Sequence, residues 1–163
     1  MNKNDIRYLK TEESLEKAFY SLKKLKKELT VTSLCKEIKI NKTTFYDHYK
    51  NINQLQNEIY TKAIDKVIID DINIDKALIN LNIFVESLLD SLNKNYDMLS
   101  IIFDDYYLAA DILENKILAI YKSELENIDL RNKLIFIVGG TLRLFSKYNK
   151  KITKEDIFKI IAK

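Results

Sequence analysis

Apolar residues recur along most of the chain three or four positions apart, which is the spacing of one face of an α-helix. The first such stripe predicts a helix over residues 11–26, and it consists of Leu15, Ala18, Phe19, Leu22 and Leu25. The chain has no proline and only two glycines, so the residues that form tight turns between β-strands are scarce. The pattern therefore predicts an all-helical fold.

A second, shorter helix is predicted between Thr30 and Ile38. Threonine commonly caps helix N-termini, and Ser33 lies three positions after Thr30, where its side chain can return the capping hydrogen bond. The inner stripe of this helix is Val31, Leu34, Cys35 and Ile38. The apolar spacing breaks at Lys39 and Ile40, which predicts a turn.

A third helix is predicted to begin after Asn41, which is another capping residue. Its inner stripe would be Phe45, Tyr49 and Ile52. That arrangement turns Thr43, Tyr46, Asp47 and Lys50 outward and leaves Thr44 and His48 on the flanks. Asn51 is predicted to cap a fourth helix. One longer helix, followed by two short helices across a tight turn, is a helix-turn-helix pattern.

The remainder of the chain predicts helices with an acidic exterior and an apolar interior. A long one is expected over residues 72–95, and two others over 96–106 and 107–127. Residues 130–148 are apolar nearly all round, which predicts burial on more than one side. Thr153 is expected to cap a last helix. We predict two domains, residues 1–60 and residues 61–163.

Charge is distributed unevenly, although the net charge is only +3. Residues 1–60 contain 12 lysines or arginines and 8 acidic residues, residues 61–129 contain 6 and 14, and residues 130–163 contain 9 and 2. The basic first segment is compatible with a polyanion, whereas the acidic middle segment would repel one. Solvated helix faces can produce the same bias.

Catalysis and metal binding find little support in the residues. His48 is the only histidine and Cys35 the only cysteine, so neither a nucleophile–base pair nor a zinc site can be assembled from them. Cys35 lies on an inner stripe and is expected to be a buried structural thiol. The longest apolar run, residues 134–142, is about half of a membrane span. We predict no enzymatic activity, no cofactor, no membrane association and a cytoplasmic location.

The sequence TVTSLCKEIKINKTTFYDHYKNINQL, from Thr30 to Leu55, resembles the TetR family of bacterial regulators. The family pattern is approximately T-V-x-x-I-A-x-x-A-G-V-S-x-x-T-F-Y-x-H-F-x-x-K-x-x-L, and RYLKTEESLEKAF upstream is similar to the family's first helix. The resemblance covers about residues 7–60. It is weaker in KLIFIVGGTLRLFSKYNKKITKEDIFKII near the end. Where the family has a glycine in the turn, this chain has Lys39, and a left-handed lysine costs on the order of 1 kcal/mol.

The resemblance implies a homodimeric repressor that binds a pseudo-palindromic DNA site and is released by an effector, either a small molecule or a protein. It implies a three-helix DNA-binding domain followed by a ligand-sensing and dimerisation domain. The predicted DNA contacts are Thr32, Asn41, Lys42, Thr43, Thr44, Tyr46, Asp47, His48 and Lys50. For His48, packing between helices is the alternative to a phosphate contact.

In the second domain the resemblance implies a cavity between helices, with candidate lining residues Phe84, Phe103, Tyr107, Tyr121 and Phe136. Core packing is the alternative for these aromatic residues. Gly139, Gly140, Arg143 and Leu144 are the candidate dimer contacts, because two glycines inside a helix allow another helix to approach closely. Two other functions stay open: a coactivator that senses a protein partner, and a helical small-ligand carrier that binds no DNA.

Overall fold

The computed structural model of the chain describes residues 5–71, 80–120, 128–148 and 152–161. Every regular element in these residues is a helix, so the all-helical prediction is confirmed for this part of the chain. Packing divides the chain into two compact units, Met1–Ile59 and Tyr60–Lys163. Within the described ranges, no helix combines the length and the apolar character that crossing a membrane requires.

The first unit contains a long helix, two short helices and the beginning of another long one. They are α1 (Ile6–Lys24), α2 (Val31–Ile38), α3 (Lys42–His48) and α4 (Ile52–Asp71). The carboxylate of Asp5 caps α1 by accepting a hydrogen bond from the Arg7 N–H at 2.8 Å, so the helix begins before the predicted Thr11. Leu25 follows the last helical turn and is 58% exposed. The prediction that it joins the buried stripe is wrong, because the helical spacing no longer applies there.

Side-chain caps set the starts of α2 and α3. The Ser33 N–H donates to Thr30 Oγ1 at 3.1 Å, and the Thr30 N–H donates to Ser33 Oγ at 2.9 Å, which completes the predicted capping box. Asn41 Oδ1 accepts a hydrogen bond from the Thr44 N–H at 2.9 Å at the start of α3. Both predicted caps are confirmed.

The turn between α2 and α3 consists of residues 39–41. Lys39 adopts the left-handed conformation, with φ 57° and ψ 44°, and its N–H and that of Ile40 both donate to the carbonyl oxygen of Cys35. A lysine in this conformation costs on the order of 1 kcal/mol, because its Cβ approaches the following carbonyl oxygen. Lys39 therefore performs the geometric role that glycine usually has, at an energetic cost.

The core of the first unit lies among α1, α2, α3 and the first turns of α4. Its fully buried side chains include Leu15, Phe19, Leu34, Phe45 and Leu55. Cys35 is buried beside them, and burial raises the pKa of its thiol, against a smaller opposite effect from the charge of Lys42. The prediction of a buried thiol is confirmed.

The second unit continues from α4 into α5 (Leu81–Lys94), α6 (Tyr96–Ile102), a 3₁₀ turn (Phe103–Asp105), α7 (Tyr106–Ile120), α8 (Ile128–Tyr148) and α9 (Lys154–Ile161). Asn80 has an extended backbone and caps α5 by accepting from the Asn82 N–H at 2.9 Å. A helix continuous over residues 72–95 is therefore wrong at Asn80, while residues 72–79 lie outside the described residues. Thr153 caps α9 as predicted, because its hydroxyl oxygen accepts from the Asp156 N–H at 3.2 Å.

Helices α7 and α8 pack against each other, and polar bonds join distant segments of the second unit. The Tyr106 hydroxyl donates to the Gly139 carbonyl oxygen at 3.0 Å, and the Ser146 hydroxyl donates to that of Phe103 at 3.1 Å. Lys154 of the basic C-terminal segment pairs with Glu86 of the acidic middle segment. The pair joins a basic segment to an acidic one within the second unit.

Candidate nucleic-acid interface

Aromatic side chains on the buried side of α3 hold this helix on the core of the first unit. Phe45 is fully buried, and its ring centroid lies 5.9 Å from that of Tyr49, which is also buried. At the C-terminal side, the Lys50 N–H donates to Gln54 Oε1 at 2.8 Å, and Asn51 accepts from the Gln54 N–H at 2.9 Å. The predicted cap at Asn51 is confirmed. These bonds fix the backbone on both sides of the junction between α3 and α4.

The opposite face of α3 and the residue just after its cap are open to solvent. Thr43, Tyr46, Asp47 and Lys50 are all exposed, which confirms their predicted outward direction, and Lys42 is exposed as well. The Tyr46 side chain is 55% exposed, although its ring contacts that of Phe45 edge-on at 5.5 Å. A rigid short helix therefore presents a phenol, a hydroxyl, a carboxylate and two ammonium groups together. We call these five side chains the outer face of α3.

Three further candidate contacts flank this face. Thr32, in the first turn of α2, is exposed. Asn41 is also exposed, but its Oδ1 accepts from both the N–H and the hydroxyl of Thr44, each at 2.9 Å. Thr44 is half-buried. Asn41 and Thr44 therefore form the cap of α3. They can contact a ligand only at the edge of the outer face of α3.

Positive charge predominates around the turn. The exposed charged side chains from residue 31 to residue 50 are Lys36, Glu37, Lys39, Lys42, Asp47 and Lys50. Lys36 and Lys39 did not belong to the predicted contacts. The signal for them was present in the sequence, because both are basic residues at outward positions of α2 and its turn. The surface is mildly basic and mixed rather than uniformly cationic.

His48 does not belong to the outer face. Its side chain is fully buried, and its ring stacks on Tyr8 of α1 with the centroids 3.9 Å apart and the planes 26° from parallel. A ring in this position cannot reach a phosphate, so the prediction of a DNA contact by His48 is wrong and the packing alternative holds. His48 faces α1 because of its position in the helical turn of α3. Helix α1 begins at Ile6, so Tyr8 lies within it and beside the imidazole ring.

Tyr8 and Glu12 are the residues that sequence reasoning missed. Tyr8 is buried, and Glu12 Oε1 lies 3.7 Å from His48 Nδ1. A signal existed, since Tyr8 lies seven residues before Leu15 and continues the inner stripe of α1 backward by two turns. This signal was missed because the first helix was predicted to begin at Thr11.

The candidate cavity residues are not brought together in the described part of the second unit. Phe84 and Phe103 are buried core residues, whereas Tyr107 is 79% and Phe136 68% exposed. Tyr121 lies outside the described residues. A shallow groove between α7 and α8, open to solvent, is lined by Glu114, Ile117, Leu118, Leu134, Ile135 and Val138. It encloses no space for even a water-sized molecule, whereas typical ligand sites enclose roughly 300–1,000 Å³.

The candidate dimer residues lie along α8. Gly140 and Arg143 are exposed, and Gly139 and Leu144 are half-buried. A Cβ built on either glycine meets nothing within 4 Å, so no described atom lies against the position that a side chain would occupy there. The Arg143 guanidinium lies over the Tyr106 ring, 5.1 Å from its centroid.

Comparison with protein-family models, with curated proteins and with solved structures finds no match for the chain. Among the described residues, no three His, Cys, Asp or Glu side chains come together as metal ligands would. Function is therefore inferred from three features. They are the outer face of α3, the exposed side of α8 that carries Phe136, Gly140 and Arg143, which we call the uncovered face of α8, and the resemblance of residues 7–60 to the TetR family.

Proposed function

We propose that the chain is a TetR-type transcriptional repressor that binds a pseudo-palindromic DNA site as a homodimer. One observation carries the proposal. A short helix, capped by Asn41 and packed from below by the fully buried Phe45, exposes Lys42, Thr43, Tyr46, Asp47 and Lys50 on one surface. Such a helix fits the DNA major groove, and its side chains match the chemistry of phosphates and base edges.

In the proposed complex the outer face of α3 enters the major groove. Tyr46 and Lys50 contact phosphate oxygens, which sets position and affinity. Thr43 contacts a thymine methyl group or a base edge, and Asp47 accepts a hydrogen bond from cytosine N4. The alternative is that Asp47 reads no base and only caps or repels. Two copies related by a two-fold axis then require half-sites about one helical turn apart, or a multiple of it.

The uncovered face of α8 supports the dimer. Phe136, Gly140 and Arg143 recur at helical spacing and are exposed, and Tyr107 of the neighbouring α7 is more exposed than Phe136. Exposed aromatic side chains beside open glycine positions are typical of a protein–protein contact. We propose that the second copy covers this face, which a two-fold axis makes self-complementary.

The effector is proposed to bind the second unit and to act by favouring one spacing of the two DNA-binding units. Only an effector with different affinities for the two spacings can shift that equilibrium. Whether it is a small molecule or a protein is decided by screening for ligands that raise the thermal midpoint of the chain. A chain that binds DNA but responds only to a protein would be a coactivator that senses its partner.

The test of DNA binding begins with selection of bound sequences from a random duplex pool, followed by titration of the selected duplex at several salt concentrations. Lys50→Ala and Tyr46→Phe are expected to weaken binding across all sequences, because phosphate contacts do not depend on sequence. Lys50→Ala should also reduce the slope of log affinity against log salt by about 1. Lys159→Ala and Tyr148→Phe are matched controls, since both residues are exposed and lie in the second unit.

Selection repeated with Asp47→Ala decides between these roles: a changed consensus means that Asp47 reads a base, and an identical consensus means that it reads none. Unchanged affinity in both Tyr46→Phe and Lys50→Ala would remove the proposed phosphate contacts. A folded chain that selects no sequence and has no measurable affinity for duplex DNA would favour the small-ligand carrier.

A further inference from the structure

Five titratable side chains meet where α3 packs on α1 and the first turns of α4. They are Tyr8 and Glu12 from α1, His48 and Tyr49 at the end of α3, and Glu58 from α4. The rings of Tyr8 and His48 stack, and the Tyr49 hydroxyl donates to Glu58 Oε1 at 3.5 Å. All five belong to the first unit. None of them lies on the outer face of α3.

His48 is unusual within this cluster. Both ring nitrogens are buried, and neither makes a hydrogen bond to another described protein group. Buried polar atoms nearly always have a partner, because leaving one without a partner costs about 1–3 kcal/mol. The nearest carboxylate is that of Glu12, 3.7 Å from Nδ1, which is just beyond hydrogen-bond distance. The two groups face each other, and the 3.7 Å separation leaves the bond between them unformed.

Two carboxylates act on the rings at either side of this imidazole. Burial, and then the charge of Glu12, raise the pKa of Tyr8. Burial, and then the charges of Glu58 and Glu12, raise the pKa of Tyr49. The ring of His48 therefore lies between two phenols that both experience the negative charge of these carboxylates. A carboxylate at this distance interacts favourably with an imidazolium, whereas burial of the ring opposes the charge.

We propose that His48 and Glu12 form a proton-responsive link that holds α3 on α1. When the imidazole takes a proton from solvent, both of its nitrogens carry hydrogen, and Nδ1–H donates to Glu12 Oε1. The 3.7 Å separation then closes to the roughly 2.8 Å of a charge-assisted hydrogen bond. The Glu12 side chain is 21% exposed, which gives the carboxylate room to move and the proton a route to solvent.

The sign of the effect follows from linkage. The folded unit gains a bond when the ring is protonated, and the unfolded chain does not, so the link stabilises the fold at low pH and is lost as pH rises through the histidine range. Between about pH 5.5 and pH 8, histidine is the side chain whose ordinary titration falls in the window. The link concerns the first unit alone, so a chain that binds no DNA would leave it intact.

The chain contains a single histidine, so its ring protons can be followed by NMR without ambiguity in the full chain. Glu12→Gln is expected to lower the pH at which the ring signals change, because burial then acts without the nearby carboxylate charge. Glu13→Gln is the matched control, since Glu13 is the next residue, is exposed and pairs with Lys17 instead. An unchanged midpoint in Glu12→Gln would overturn the proposal.

A second measurement separates the link from ordinary packing. Unfolding by urea is measured for the parent, Glu12→Gln, His48→Gln and the double variant, at about pH 5.5 and about pH 8. The coupling between the two positions is expected to be larger at the lower pH. Equal coupling at both pH values would mean that His48 and Glu12 only pack together. If His48→Gln fails to fold, the NMR titration of Glu12→Gln still decides, because it retains the histidine.

Discussion

Helices α3 and α8 each leave one face uncovered, and the two faces differ in chemistry. The outer face of α3 carries Lys42, Thr43, Tyr46, Asp47 and Lys50, all of which remain well hydrated when exposed. The uncovered face of α8 carries Phe136 and Gly140, with Arg143 at its edge. Hydrophilic groups on a rigid helix suit a hydrated polyanion, whereas an exposed aromatic beside a flat glycine surface suits another protein.

Exposure alone does not indicate a partner. Tyr46 and Phe136 are exposed to a similar degree, yet only Phe136 lacks a polar group that water can satisfy. Tyr46 could therefore stay exposed in a monomer at little cost in free energy. The exposure of Phe136 on α8 is better explained if a second copy covers it, as in the proposed dimer.

The largest contrast is expected between two phenylalanines. Phe45→Ala should lower the free energy of unfolding by about 3–5 kcal/mol, since Phe45 is fully buried beneath the outer face of α3. Phe136→Ala should change the stability of the protomer by less than about 0.5 kcal/mol. Urea unfolding followed by circular dichroism at low protein concentration measures both. A loss in Phe136→Ala as large as in Phe45→Ala, at every concentration, would mean that Phe136 is a core residue.

The next effect concerns Gly140. A Cβ added at this position meets no described atom within 4 Å, and the change removes a glycine from a helix, so the protomer should be stabilised by up to about 1 kcal/mol. A side chain inserted into a close helix contact costs about 1–3 kcal/mol, so Gly140→Leu should weaken self-association by about 10- to 100-fold. Sedimentation measures this. Asp90→Leu is the control, because Asp90 is an exposed residue of α5.

A dimer of Gly140→Leu that sediments like the parent, together with an unchanged affinity for a two-half-site operator, would place the contact elsewhere. The variant is informative because its protomer is expected to fold at least as well as the parent.

A smaller effect compares the same chemistry in both units. Thr30→Ala and Thr153→Ala each remove a capping box, and each should lower the free energy of unfolding by about 1 kcal/mol. Thr43→Ala is the control, because Thr43 is exposed in α3 and does not cap it. If only one of the two changes lowers the free energy of unfolding, the start of the other helix is set by packing rather than by its capping threonine. Thermal unfolding resolves differences of this size.

The smallest effect is expected at the turn before α3. Lys39→Gly should raise the free energy of unfolding by up to about 1 kcal/mol, since glycine adopts the left-handed conformation without strain. Lys36→Gly should lower it by about as much, because Lys36 lies inside α2. Both changes remove one positive charge, so charge alone cannot produce opposite signs. A destabilised Lys39→Gly would mean that the lysine side chain has a stabilising contact.

Short-range chemistry could be predicted from the sequence with good precision. The caps at Thr30, Asn41 and Thr153 were recognisable because a capping side chain bonds to a backbone group only two or three residues away. The outward direction of Tyr46 and Lys50 followed from helical spacing alone.

Features that depend on distant segments could not be predicted in the same way. The burial of His48 depends on Tyr8, which lies forty residues earlier in the chain. The exposure of Leu25 depends on where α1 ends, and the extended Asn80 interrupts a pattern that looks continuous in apolar spacing. For Tyr107 and Phe136, apolar character predicted an interior position, but the fold of one protomer leaves them outside.

Because Cys35 is buried, chemical labelling of its thiol can report when the first unit opens. It is the single cysteine, its sulfur lies 3.8 Å from the carbonyl oxygen of Asn41, and burial raises its pKa, so an alkylating reagent cannot reach a thiolate while α2 and α3 are packed. The rate of labelling therefore measures how often the first unit opens. Applied to an unmodified chain, that rate reports the local free energy beneath α3 without a fluorophore.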